Sequence, residues 1–341
     1  MQNILIVDDC PENLFLLEAL LEEPGRNFLK AHSGKEALRT LLNHEVALII
    51  LDVQMPEMNG IETATHIRAS AKTRNIPIIF ITGVSYDEVH IFKGYKAGAV
   101  DYLSKPFEPD ILRTKVNFYL EMDNLIKDAN LEIIYRLSVA AEFRDNENTA
   151  HLERMSEYSK IIAGTMGFND DFIEMIKLAS PMHDIGKIGI PDKILFKPSE
   201  YTSAEYNEMK RHPEIGHLIL KDSQSELLQM AERIAYTHHE KFDGSGYPRG
   251  LKEEDICIEG RIIAVADVYD ALIEERIYKP AYSEKKSLDL MRDRNGYHFD
   301  PKVFKAFIDS YQKIRLARQT INEQRNENRK LAGIHLDLVK N

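Results

Sequence analysis

Short apolar runs alternate with helical stretches over residues 1–122, the pattern of a parallel sheet joined by crossover helices. Ile4–Val7, Ala47–Leu51, Ile78–Ile81 and Val100–Leu103 are the clear strands, and Phe28–Ala31 is a weaker one. Polar residues gather where the runs end: Asp8 and Asp9, Asp52, Thr82, and Lys105 before Pro106. In an open α/β sheet the carboxyl ends of the strands line the binding crevice. Three acids, a hydroxyl and a lysine are therefore expected to meet at one place, and crowded carboxylates make sense around Mg²⁺.

After Pro109 the pattern becomes helical without Pro or Gly from about Ile111 to Phe143. Leu112, Val116, Tyr119, Leu125, Leu131, Ile134 and Leu137 recur at three-, four- or six-residue steps. This imperfect seam fits a dimer contact or one side of a helix packed on its own domain. Residues 144–310 read as almost entirely helical, and a second charged helix, roughly Tyr311–Leu338, closes the sequence as a solvated appendage or dimer contact. The predicted organisation is an α/β domain over 1–122 and a helical connector over 123–143. An all-α domain over 144–310 and a helical appendage over 311–341 follow.

The helical part carries the densest chemistry. Candidate metal donors, in chain order, are Glu147, His151, His183, Asp184, His212, His238, His239 and Asp267. Asp267 falls in an apolar run, where a carboxylate needs a partner. Imidazoles with carboxylates suit Fe, Mn or Zn, and Asp184 is the candidate to bridge two ions. The isolated His217, His298 and His335 read as surface or satisfied core residues.

Length and composition narrow the class. At 341 residues, with 43% hydrophobic and 29% charged residues, the chain fits a globular protein of two domains. Its apolar runs are far shorter than the ~20 residues of a membrane span. Met1–Asp9 turns acidic and lacks the basic start of a signal peptide. Two distant cysteines, Cys10 and Cys257, make no disulfide framework. A cytoplasmic protein is expected. The net charge of −11 argues against a nucleic-acid surface and requires local cations or metals to hold an anionic substrate.

The first domain resembles the response-regulator receiver family over its whole length. The resemblance implies a flavodoxin-like, doubly wound sheet of five parallel strands and a sensor histidine kinase as partner. Asp52, in Leu51–Asp52–Val53–Gln54–Met55–Pro56, matches the phospho-accepting aspartate. Asp8 and Asp9 match the Mg-binding pair, Thr82 and Lys105 the phosphoryl contacts, and Tyr102 the aromatic switch. Without the resemblance, a flavodoxin-like domain with incidental acids is the alternative.

About residues 140–310 resemble the HD-GYP phosphodiesterases, which hydrolyse cyclic di-GMP. Arg144–Asp145–Asn146–Glu147 with His151 matches the first ligand segment, and His183–Asp184 with Lys187 the namesake motif. His212 follows Met209–Lys210–Arg211, and His238–His239 precede Asp243–Gly244–Ser245–Gly246–Tyr247–Pro248. Ala264–Val265–Ala266–Asp267 supplies the last carboxylate. Arg276–Ile277–Tyr278–Lys279 matches the nucleotide-phosphate contact, with Ile277 where proline is usual. The resemblance implies two ions, or three when Glu147 and His151 are both present. Lys187 would reach the phosphate or leaving oxygen, unless it only pairs with Asp184. Tyr247 would stack on a guanine or anchor its loop, with both roles open. The reading is a phosphorylation-controlled enzyme giving pGpG and then GMP. An HD-type hydrolase of another cyclic dinucleotide or a guanosine polyphosphate, and a non-catalytic cyclic di-GMP-binding module, are the alternatives.

Overall fold

The computed structural model describes residues 1–83, 100–144, 150–275 and 281–331, with side chains as far as 325. The chain divides into two compact units, Met1–Asn130 and Leu131–Asn341.

In the first unit, β1 (Gln2–Val7), β2 (Arg26–Ala31), β3 (Leu48–Asp52), β4 (Ile78–Thr82) and β5 (Asp101–Ser104) form one sheet. Its order is β2-β1-β3-β4-β5, and every pairing is parallel. This is the flavodoxin-like order, which puts the crevice at the carboxyl ends of β1 and β3. Every residue of β3 and β4 is buried, as expected of strands covered on both faces. One apolar layer includes Leu5, Val7, Ile49, Leu51, Ile78 and Phe80, and the other Ile4, Ile6, Leu48, Ile50, Ile79 and Ile81. The helix Gly60–Ala69 begins with a reciprocal cap, in which Asn59 accepts from Glu62 N and Glu62 from Asn59 N.

The helix Pro109–Arg144 runs for 36 residues across the division between units. Its early residues Leu112, Val116 and Leu120 belong to the second apolar layer of the sheet. Ile134 and Ala141 instead join the core of the helical unit.

The described residues of the second unit form helices with no strand, and one isolated bridge links Asn295 and Phe299. Its core draws Met155, Tyr158 and Ile162 from the helix Ala150–Thr165, Ile234 from Glu226–Thr237, Val265 and Tyr269 from Ile258–Ile273, and Phe307 from Pro301–Asp309. The closing helix Tyr311–Leu331 corrects the expectation of a solvated appendage. It packs on Ala150–Thr165, with Ile314 fully buried and Ile321 nearly so. No helix among the described residues is long and apolar enough to cross a membrane.

Candidate metal centre and phospho-acceptor site

Helix ends and tight turns deliver the donors of the helical unit. His151 is the second residue of the helix Ala150–Thr165, and His212 is the first of His212–Leu220. His238 caps the carboxyl end of Glu226–Thr237 and His239 follows it, while Asp267 lies inside Ile258–Ile273. His183 and Asp184 sit between two 3₁₀ turns, Ser180–Met182 and Ile185–Gly189. Gly186 lets that turn touch the His212 helix: a Cβ there would lie 1.9 Å from the His212 carbonyl oxygen and 2.5 Å from Gly216 N.

These residues converge into two groups whose donor atoms lie within 4.8 Å of one another. One is His151, His183 and Asp267; the other is Asp184, His212, His238 and His239. Asp184 faces both. Its Oδ2 is 3.3 Å from His183 Nε2, and its Oδ1 is 3.2 Å from His212 Nε2 and 3.5 Å from His238 Nε2. Lys187 Nζ lies 2.9 Å from Asp184 Oδ2, the ion pair that the sequence offered as its simpler role.

The ring orientations suit metal binding. His183 Nδ1 is 2.9 Å from the Ser180 carbonyl, His212 Nδ1 2.8 Å from that of Met209, and His238 Nδ1 3.1 Å from that of Ala235. A carbonyl only accepts, so each Nδ1 carries the proton and each Nε2 lone pair points inward. Lone pairs then confront each other: His151 and His183 Nε2 are 3.3 Å apart, as are those of His212 and His238. Asp184 Oδ1 is buried and has no hydrogen-bond partner among the described residues. Such a polar atom is costly in a protein interior unless something positive meets it. The donor set therefore fits divalent cations.

Electrostatics set the donors apart: burial works against charge on His183, yet the Asp184 carboxylate outweighs it and raises its pKa, so an ion would have to displace that proton. Burial works against charge on Asp184, yet Lys187 and His183 outweigh it and hold its pKa well below the ordinary carboxylate range. Burial lowers the pKa of His238, and that of His239 much further, keeping both imidazoles neutral as ligands must be. Tyr247 stacks on His239, with centroids 4.8 Å apart and planes at 30°.

Sequence reasoning missed three supporting residues. Asp270 lies 2.8 Å from His151 Nδ1 and accepts from Nε and Nη2 of Arg154. Buried Glu240 accepts from Arg249 N at 2.7 Å and Leu251 N at 3.1 Å, closing the loop that contains Tyr247. Asp270 and Arg154 each stand three residues after a donor, a helical spacing that puts them on the donor's face. Glu147, Arg276 and Lys279 lie outside the described residues. His217 pairs with Glu232 and stacks on Tyr236, and His298 stacks on Phe299. His335 is outside the described residues.

In the sheet unit, Asp8, Asp52 and Thr82 are buried at the ends of β1, β3 and β4. Lys105 Nζ spans Asp8 Oδ2 at 2.9 Å and Asp52 Oδ1 at 2.8 Å. Burial raises the Asp52 pKa against the opposing pull of Lys105. Thr82 Oγ1 is buried without a hydrogen-bond partner among the described residues. Asp9 is exposed and joins no such donor group among the described residues. Tyr102 is half-buried, its ring 5.3 Å from that of Phe80.

Residues 4–117 match the response regulator receiver domain, and residues 137–303 match the HD domain. The cyclic di-GMP phosphodiesterase response regulator RpfG of Xanthomonas campestris pv. campestris is 38% identical over 330 residues, covering 90% of this chain and 87% of that protein. A cyclic di-GMP phosphodiesterase of Thermotoga maritima is 36% identical, covering 89% of each. Over 58% of this chain and 38% of the other, a 3'3'-cGAMP-specific phosphodiesterase 2 of Vibrio cholerae is 39% identical. With a receiver domain followed by an HD domain and full-length relatives of this kind, the chain belongs to the family of cyclic di-GMP phosphodiesterase response regulators.

Proposed function

We propose that this chain hydrolyses cyclic di-GMP to pGpG and then GMP, under control of phosphorylation at Asp52 by a cognate sensor histidine kinase. The observation that carries the reading is Asp184, whose two oxygens face two separate sets of imidazoles. His151, His183 and Asp267 would hold one ion, and His212, His238 and His239 another, with Asp184 shared. Glu147 would complete a third site beside His151. When bound, two or three divalent ions would activate water and relieve charge on the phosphoryl oxygens. Iron or manganese is the first choice and zinc the second, all three being suited to imidazole and carboxylate donors.

The protein's own groups do the rest. Asp184 keeps the Lys187 ammonium beside the centre, poised to meet a phosphate or hand a proton to the leaving oxygen. Arg276 and Lys279 would grip the second phosphate of a substrate that a chain of net charge −11 otherwise repels. The His239 stack favours an anchoring role for Tyr247, which shapes the pocket wall. In the receiver, Asp8 and Asp9 would hold Mg²⁺, and Thr82 and Lys105 would contact the phosphoryl group, with Tyr102 as the switch. A homodimer through the connector helix completes the proposal.

Purification under anaerobic conditions, metal analysis and product chromatography test the substrate. The expected result is conversion of cyclic di-GMP to pGpG and GMP in preference to 3'3'-cGAMP and guanosine tetraphosphate. Cleavage of another nucleotide alone would replace the substrate assignment. Tight binding of cyclic di-GMP by metal-loaded protein without cleavage of any nucleotide would make the chain a binding module.

A further inference from the structure

Behind His151 runs a chain of charged and polar side chains to which the proposed hydrolysis assigns no role. Two helices supply it with i, i+3 pairs: His151 and Arg154 on Ala150–Thr165, Asp267 and Asp270 on Ile258–Ile273. The first member of each pair belongs to the donor group, and the second lies about one turn further along the same face. Arg154 donates from Nε to Asp270 Oδ1 at 2.6 Å and from Nη2 to Asp270 Oδ2 at 2.8 Å. Asp270 Oδ2 is also 2.8 Å from His151 Nδ1, and both Arg154 and Asp270 are almost wholly buried.

The chain continues to the closing helix. Arg154 Nη1 donates to Asn322 Oδ1 at 3.3 Å and lies 3.7 Å from Glu274 Oε2. Glu274 Oε1 accepts from Arg318 Nε at 2.6 Å and from Asn322 Nδ2 at 3.4 Å. Arg318 and Asn322 are four residues apart on Tyr311–Leu331 and so share a face.

A buried ion pair is a weak way to stabilise a core, because apolar residues of similar volume often do as well or better. The arrangement does suit orientation of a ligand. A metal-binding histidine whose other nitrogen donates to a carboxylate is held in one tautomer and one ring plane, and is made more basic. His183, His212 and His238 use main-chain carbonyls for this purpose, whereas His151 uses a side chain that other side chains hold.

We infer that Asp270 and Arg154 are positioning residues for His151, and that the helix Tyr311–Leu331, through Asn322 and Arg318, sets the affinity for the ion that His151 binds. This rests on the reading of His151 as a metal ligand. The helix taken from sequence as an appendage thereby becomes a lever on one of the ions.

Metal titration of the full-length protein by chelator competition, with Co²⁺ absorption as a second readout, tests the inference on Asp270→Asn, Asn322→Ala and a His151→Ala control. Asp270→Asn is expected to weaken the ion that His151 binds by about 10–100-fold and leave the ion of the His212, His238 and His239 group in place. Asn322→Ala, which keeps the Arg154–Asp270 pair but removes the hydrogen bonds to Arg154 and Glu274, is expected to weaken the same ion by about fivefold. In Asp270→Asn the Co²⁺ spectrum of that ion should change, which a loss of general stability would not produce. Should Asp270→Asn fail to fold, Asn322→Ala decides. If His151→Ala loses the ion while Asp270→Asn and Asn322→Ala bind it as wild type does, the positioning role is overturned and the metal reading stands. If His151→Ala itself keeps every ion at wild-type affinity, the metal reading of His151 has failed, and this inference with it.

Discussion

His183 and Asp184 are adjacent yet face the donor groups differently: one presents a single nitrogen, the other an oxygen to each side. Their turn can approach the His212 helix so closely only because residue 186 has no side chain. Gly186→Ala must push two backbones apart, and overpacking of that kind typically costs about 1–3 kcal/mol. A lowered melting temperature with reduced metal content is expected, read by calorimetry and elemental analysis. Full metal content and an unshifted melt would contradict the close approach. Glu147→Ala is expected to lower metal content by about one ion per chain and leave a weaker enzyme, because the other ligands remain. Unchanged content would make Glu147 a surface acid. The paired donors were legible because adjacent His-Asp and His-His residues are seldom incidental. Asp270 and Arg154 were not, since a lone charge on a helix looks like a solvent-facing residue until its partner on another helix is known.

The helix Pro109–Arg144 joins the two kinds of chemistry in one element. Its last residue, Arg144, donates to the carbonyls of Ile188 and, at 2.9 Å, Ile190, and pairs with Asp192 Oδ1 at 2.7 Å. Those residues follow Lys187, so the helix end holds the segment that carries the lysine paired with Asp184. Arg144→Ala is expected to lower turnover several-fold and to blunt the response to receiver phosphorylation. Measuring both in the same preparation checks this; an unchanged ratio of phosphorylated to unphosphorylated activity would remove Arg144 from the coupling. The length of this helix was readable from the absence of Pro and Gly. Its carboxyl-terminal clamp was not, because a main-chain acceptor leaves no mark in the sequence. The docking of Tyr311–Leu331 was hidden for a related reason: few apolar residues, Ile314 and Ile321 among them, anchor a helix whose composition is otherwise charged.

At the scale of the whole molecule, the proposal is that a phosphoryl group on Asp52 biases the helical unit through that shared helix. Lys105 already bridges Asp8 and Asp52, and a phosphoryl group would give it and Thr82 a new partner. Coupling energies of this kind are typically ~1–3 kcal/mol, so a several-fold change in activity is expected and not an absolute switch. Beryllofluoride treatment beside an Asp52→Asn control, read by turnover and oligomer size, tests it. If phosphorylation is confirmed and neither moves, the coupling fails. The central strands β1, β3 and β4 were legible as nearly continuous apolar runs, whereas the partly buried edge strands β2 and β5 carry shorter ones. Their ends shifted by a residue or two where polar residues join the ladder, as Gln2 does in β1 and Asp52 in β3. Metal content and turnover of cyclic di-GMP, measured together on wild type and Asp184→Ala, test the central claim most directly. Asp184→Ala is expected both to strip metal and to abolish hydrolysis, because one carboxylate faces both groups. Retained metal stoichiometry with near-normal turnover would contradict it.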